Sequence, residues 1–342
     1  MKIRNLALSL LLAACTAFQI STHASASSGA PSAAPIAVPT AAAQQVAKPR
    51  IGVSIPAADH GWTAGVVWWA RECSKLHPEC EWTIATAETP EKQISDIETM
   101  MAKGVDGLVI LATESAPLTP VAEEAHSRGI FIVNVDRGFL KPVADIFIEG
   151  DNAAFGRKSA EFMVEKLGGK GKAQGSIIIL EGIPCTVNSD RVNAALKVFG
   201  AESGIKIVGQ QAANWNRQKA LEVTQTLLQK NPKVTAIWAS DDDMALGAEQ
   251  ALTEAGIDGV WILGGAGMKD IVKRVMDKDP MFPADMTYPP SMIATGMELA
   301  TGVLSGGKKA EKLQFMPKHM MIDIELITPE NAKGYYFPKS VY

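Results

Sequence analysis

The stretch VTAIWASDDDMALGA, residues 234–248, restricts the folds open to this chain more than any other. It opens on an uncharged β-branched and aromatic run, the pattern of a strand covered on both faces. Asp241, Asp242 and Asp243 close that run. From Met244 to Leu252 apolar side chains then recur at helical spacing, up to Gly256. Strand, acidic turn and helix make a βα unit, and open α/β sheets bind ligands beyond the carboxyl ends of their strands. One helix N-terminus needs one capping carboxylate. Asp242 and Asp243 are therefore read as the capping acids, and Asp241, at the strand tip, as free to face a cleft.

The same unit recurs along the chain. Expected strands at 51–55, 81–86, 107–112 and 130–135 alternate with helices at 63–76, 90–103 and 120–127, and Gly104 and Gly129 stand where two helices stop. The alternation then restarts, with helices at 154–167, 191–203, 217–231 and 268–276 and strands at 176–180, 206–210 and 260–263. Two successive α/β sets of similar size predict two doubly wound parallel-sheet domains with a ligand cleft between them. Residues 285–288 and a helix at 292–304 return to the first set, 320–327 has strand character, and 331–342 reads as a tail.

Lys2 and Arg4 precede an apolar run from Leu6 to Ala14, and Ala24, Ser25 and Ala26 suit signal peptidase, so residues 1–26 read as an export signal. Leu12, Ala13, Ala14 and Cys15 also form a lipobox, which would end the signal at residue 14 and lipidate Cys15. Residues 27–49, rich in Ala, Pro and Ser and without periodicity, read as a disordered linker. Either cleavage puts the folded part in the periplasm. In that oxidising space Cys73 and Cys80 could close a small disulfide, and Cys185 reads as a structural buried thiol.

Several function classes are excluded. A chain of 342 residues with net charge −4 and 20% charged residues has no basic excess for nucleic acid. Gly264, Gly265 and Gly267 follow a strand, but Asp270 stands where a dinucleotide fingerprint needs its third glycine. The run GGKGK at 168–172 precedes a strand, and no Ser or Thr follows its lysine as a phosphate loop requires. The histidines at 23, 60, 77, 126 and 319 do not pair at zinc-ligand spacing, and no Gly-x-Ser-x-Gly elbow occurs. A binding protein without cofactor or metal is expected, not an enzyme.

Four segments carry a family resemblance: IVNVDR at 132–137, IEGDN at 148–152, ANWNR at 213–217 and DDDMALGA at 241–248. In their order and spacing, residues 50 to about 308 resemble periplasmic sugar-binding proteins of the ribose-binding type, the receptors of ABC importers. The resemblance implies a first lobe of 50–150 plus 289–317 and a second of 151–288 plus 318–330. A three-strand hinge near Gly150, Tyr288 and residue 318 would let the cleft close on its ligand. It implies that Asp136 and Arg137 hydrogen-bond sugar hydroxyls, that Trp62 and Trp215 sandwich the ring, and that Asp241 adds a further polar contact. Asp59 and His60 fall in the family's first ligand loop, and Asn188 and Ser189 in a loop where ribose binders carry a ligand arginine. Arg191 matches a structural arginine at a helix start.

Two departures stand out. Gly264, Gly265 and Ala266 replace the family's Gly-Phe-Asp, and Tyr288 replaces a frequent glutamine. One lost carboxylate and one gained ring imply a ligand other than ribose: an acyclic polyol, a deoxy-sugar or a furanone-like signal. The implied partners are a small sugar or polyol and a membrane permease, with the receptor a monomer. Two alternatives stay open: a sensor subunit feeding a histidine kinase or chemoreceptor, and an amine receptor caged by Trp62, Trp215 and Tyr288, which Arg137 opposes.

Overall fold

The computed structural model describes residues 47–58 and 61–342. The export signal, Cys15, most of the linker, Asp59 and His60 lie outside the described residues.

The first set of elements runs β1 (Arg50–Pro56), α1 (Gly61–Leu76), β2 (Glu81–Ala87), α2 (Pro90–Ala102), β3 (Gly107–Ile110), α3 (Ser115–Ser127), β4 (Phe131–Val135) and β5 (Ile146–Gly150). The second runs α4 (Asn152–Lys166), β6 (Gly175–Glu181), α5 (Thr186–Phe199), β7 (Ile205–Ala212), α6 (Arg217–Lys230), β8 (Ala236–Trp238), α7 (Asp242–Ala255), β9 (Trp261–Leu263) and α8 (Lys269–Met276). The chain continues through β10 (Asp285–Met286), α9 (Met292–Leu304), α10 (Lys309–Leu313), β11 (His319–Ile322) and β12 (Leu326–Ile327).

Two parallel sheets result, one ordered β11-β5-β4-β3-β1-β2 and the other β7-β6-β8-β9. Helices on both faces explain the strand composition. In β3, Leu108 and Ile110 pack with Ile97, Met100 and Val121 of α2 and α3. Val109, between them, joins Val53 and Val133 in the core on the other side. A strand buried on both faces must be apolar at every position, as these are. Gly296 brings α9 close to that sheet, because a Cβ there would meet Val135 Cγ2 at 2.8 Å.

The hinge differs from expectation at its third crossing. Strand β11 pairs in parallel with β5, so it belongs to the first sheet and not to the second lobe. The crossover therefore follows Ile322 instead of residue 318. Asp151 N donates to Ile322 O and Thr287 N to Glu325 O, both at 2.9 Å, while β10 pairs antiparallel with β12. Three crossings are thus laced by backbone bonds.

Two further expectations are corrected. The last segment is not a loose tail: Tyr342 is buried against Gly61 and Gly65, and Lys269 Nζ holds Ser340 O at 2.9 Å. The Cys73–Cys80 disulfide is not formed, and all three described cysteines are buried free thiols. The turn after α1 aims the two sulfurs at different levels of α9. Cys73 Sγ lies 3.8 Å from Ala294 O and from Glu298 Oε1, and Cys80 Sγ 3.8 Å from Thr301 Oγ1.

Candidate ligand-binding site

The carboxyl ends of strands from both sheets converge on one cavity of about 20 Å³. It collects Trp62, Asp136, Arg137, Trp215, Asp241 and Tyr288, residues scattered across more than two hundred positions of sequence.

Asp136 follows β4 in the left-handed region, at φ 65°, with its N–H bonded to Ile148 O at 2.7 Å. Strain of this kind concentrates at ligand sites, where the surrounding structure holds it in place. Its carboxylate accepts from the Tyr288 hydroxyl at 2.5 Å and lies 3.7 Å from Arg137 Nε. Arg137 is clamped to the end of the first sheet, its Nη1 donating to Ala112 O at 3.1 Å and Thr113 O at 2.8 Å. Its Nε is buried without a hydrogen-bond partner. Burial, and then the Asp136 charge, push the Tyr288 phenol well above its ordinary range.

Aromatic rings form the walls. Trp62 Nε1 donates to Tyr288 O at 2.9 Å, and the two rings stand 5.9 Å apart. Trp215, at φ 53°, receives the Arg137 guanidinium 5.2 Å from its ring centre, and its Nε1 is buried without a partner. Only glycine fits beneath these rings. A Cβ on Gly150 would meet Tyr288 at 2.3 Å, and one on Gly182 would meet Trp215 at 2.1 Å.

The acid cluster is arranged otherwise than its sequence suggested. Asp241 is the N-cap of α7, accepting from Met244 N at 3.0 Å, and lines the cavity as well. Asp242 and Asp243, the expected caps, lie one and two positions too far along for that bond. Asp242 accepts from Gly265 N and Met268 N at 2.8 Å, tying α7 to the loop after β9. Asp243 accepts from Gly61 N at 2.7 Å and pairs with Arg217, which fastens the start of α1 to the second lobe.

Asn188 and Ser189 do not reach the cavity, because they belong to α5 and not to a loop. Asn188 Oδ1 accepts from Gly182 N at 2.7 Å, and Ser189 Oγ donates to Cys185 O at 3.1 Å. The same helix sends Val187 and Arg191 into the cavity instead. Arg191 is therefore more than a helix-start residue. It bonds Asn152 Oδ1 and Ser240 O and lies 4.2 Å from the Tyr288 ring centre. Gly265 and Ala266 line the wall where the family's Phe and Asp would stand.

Residues 51–309 match the family described as periplasmic binding protein domain. The chain belongs to the periplasmic binding protein family. It is 31% identical over 247 residues to the D-allose-binding periplasmic protein of Escherichia coli (strain K12), spanning 70% of this chain and 78% of that one. It is 26% identical over 291 residues to the xylitol-binding protein of Mycolicibacterium smegmatis, spanning 83% and 82%. Among solved structures it matches an ABC transporter solute binding protein from Mycobacterium smegmatis with bound glycerol, with TM-score 0.77 and 26% identity over 85% of this chain and 98% of that one. These relatives are solute-binding proteins and not enzymes, in keeping with the missing catalytic signatures.

A larger cavity of this periplasmic binding protein, about 640 Å³, lies on the hinge side among Trp68, Trp69, Pro290 and Tyr335. Apolar rings dominate it. The buried charged groups of the cleft, Asp136, Arg137, Arg191 and Asp241, meet in the smaller space.

The hinge also carries a buried acid. Asp285 of β10 is fully buried, and desolvation raises its carboxyl to about 7, while burial beside Asp285 raises Asp242 as well. The ordinary value of 3.8 governs the unfolded chain. A raised folded-state pKa gives a contribution that is complete below pH about 4 and is lost as pH rises through about 7. The periplasmic binding protein should therefore melt at progressively lower temperature between pH 4 and 7 and level off above, with stability falling by at most about 1.4 kcal/mol per pH unit for this group. Calorimetry on Asp285→Asn should show a flatter profile; an unchanged slope would remove Asp285 as its source.

Proposed function

We propose that the protein is the receptor of an ABC importer for a small, neutral polyol or sugar bound between its two lobes. The charge balance of the cavity carries this reading. Two carboxylates, Asp136 and Asp241, face two guanidiniums, Arg137 and Arg191. A neutral, hydroxyl-rich solute matches such a set, since each hydroxyl donates to a carboxylate or accepts from a fixed N–H. Arg137 Nε and Trp215 Nε1 are buried donors suited to ligand oxygens, and the tryptophan faces suit C–H surfaces. An amine is disfavoured, because a second guanidinium now joins Arg137 in opposing a cation.

The Tyr288 hydroxyl occupies Asp136 and its ring covers Arg191, which leaves fewer partners for hydroxyls than a ring-sugar site needs, so small acyclic polyols are favoured over hexopyranoses. Groups from both lobes contact the ligand together only when the cleft is shut. Binding therefore shifts the population toward the closed form, which docks as a monomer on the membrane permease.

A thermal-shift screen of the mature protein against tetritols, pentitols, inositols, pentoses, hexoses and simple amines tests this. A ligand at a thousand times its Kd should add about 4 kcal/mol of stability. Hits confined to amines would overturn the proposal. In Tyr288→Gln, which trades ring bulk for an amide, preference should move toward pentoses and hexoses by roughly 10–200-fold in relative affinity, read by calorimetric titration.

A further inference from the structure

At the far end of α1 from the cleft, three metal-ligand side chains meet that solute binding does not use. Cys73 lies in the last turn of α1, His77 in the loop after it, and Glu298 on α9. Their sulfur, ring nitrogen and carboxylate oxygen all lie within 4.8 Å of one another. His77 Nε2 stands 2.8 Å from Glu298 Oε1, and Cys73 Sγ 3.8 Å from the same oxygen. Ligands of a tetrahedral zinc ion, at roughly 2.0–2.3 Å from the metal, stand about 3.3–3.8 Å apart. A cation at the centre of this triad needs only small side-chain adjustments.

A second observation points the same way. The other ring nitrogen of His77, Nδ1, lies 2.8 Å from Glu79 Oε1. A carboxylate on the distal nitrogen is the usual support of a metal-bound histidine, since it fixes the tautomer and turns the free lone pair toward the ion. Glu79 thus aims Nε2 at the space shared with Cys73 and Glu298. Cys73 is buried and the other two are open to solvent to increasing degree, which leaves an entry path and a fourth position for water.

We propose that Cys73, His77 and Glu298 form a divalent-metal site of the zinc type, oriented by Glu79 and separate from the solute cleft. One sulfur, one nitrogen and one oxygen donor suit a borderline-soft ion such as Zn²⁺. The ion would pin the end of α1 to α9 within the first lobe. Trp62 lies eleven residues back along α1, about 16 Å away at 1.5 Å per residue, so the ion stabilises the wall without touching the solute.

The test uses the reduced, chelator-treated protein titrated with Co²⁺. The expected result is one equivalent bound, with a near-ultraviolet thiolate-to-cobalt charge-transfer band and tetrahedral bands in the visible, both abolished when Zn²⁺ displaces the cobalt. Cys73→Ser should remove the charge-transfer band, and Cys80→Ser should keep it. His77→Ala and the exposed-site change Glu298→Gln should each weaken binding at least tenfold, and Glu79→Gln by about 10–100-fold. Absence of the band at stoichiometric cobalt would overturn the proposal. A band that survives Cys73→Ser would do so too, as would a Cys73–Cys80 disulfide in protein taken from the periplasm.

Discussion

Asp136→Ala will cost the receptor its solute. Asp136 is 2% exposed, and its carboxylate is shared between the Tyr288 hydroxyl and the Arg137 side chain. Removing it strands a guanidinium that is itself buried and held to Ala112 O and Thr113 O, so Arg137 cannot turn away to water. Stranding Arg137 lowers folding stability, and the solute loses a hydrogen bond to a charged acceptor, about 1.5–3 kcal/mol, a rise in Kd of roughly 10- to 150-fold. Alanine at φ 65° adds backbone strain that is unrelated to binding. Asp136→Asn is the cleaner variant, because asparagine tolerates the left-handed region and keeps the shape while losing the charge. Calorimetric titration with the solute found in the screen should show a loss in both variants, larger in alanine. Unchanged affinity in both would move the binding site out of this cavity.

The alternation of short apolar strands with amphipathic helices made the two doubly wound sheets legible, because each βα unit carries its pattern locally. The cavity was legible to the extent that its residues sit at strand ends. Trp62, Asp136, Arg137, Trp215, Asp241 and Tyr288 stand beside recognisable strand or helix boundaries, and the fold brings them together. What stayed hidden depended on distant packing. The polar run from Asn188 to Asp190 reads as loop, yet it is helix because Val187, Val192, Ala195 and Phe199 are buried on one face of α5. Strand β11 has four residues and no signal saying which sheet it joins, and pairing with β5, some 170 positions earlier, decides it. The division of labour among Asp241, Asp242 and Asp243 hung on a one-residue shift of the helix start, below what pattern can fix. The Cys73–His77–Glu298 triad spans 221 positions between His77 and Glu298, so sequence spacing could not reveal it.

Arg191 was half legible, as a structural arginine, and its loss will show how far structure and binding are joined here. Its guanidinium sits 3.9 Å from the Phe155 ring centre and 4.2 Å from that of Tyr288, and it is 4% exposed. Nε donates to Asn152 Oδ1 at 2.9 Å, at the start of α4, and Nη1 to Ser240 O at 2.8 Å, in the turn before the acid cluster. Arg191→Leu keeps much of the volume but strands two buried acceptors, at about 1–3 kcal/mol each. It also removes cation–π contacts worth up to about 2 kcal/mol when desolvated. Relief from burying a charge offsets part of this, leaving a net loss of about 3–5 kcal/mol. At about 2 °C per kcal/mol for a chain of this size, the melting temperature should fall by about 6–10 °C. Arg191→Lys should lie between, since an ammonium cannot span both acceptors as a planar fork does. Solute affinity should fall with stability, because the cavity loses a guanidinium and Tyr288 loses the surface that sets its hydroxyl on Asp136. Affinity lost at unchanged melting temperature would leave Arg191 its role in the cavity alone, and an unchanged value of both would leave its two hydrogen bonds without a role.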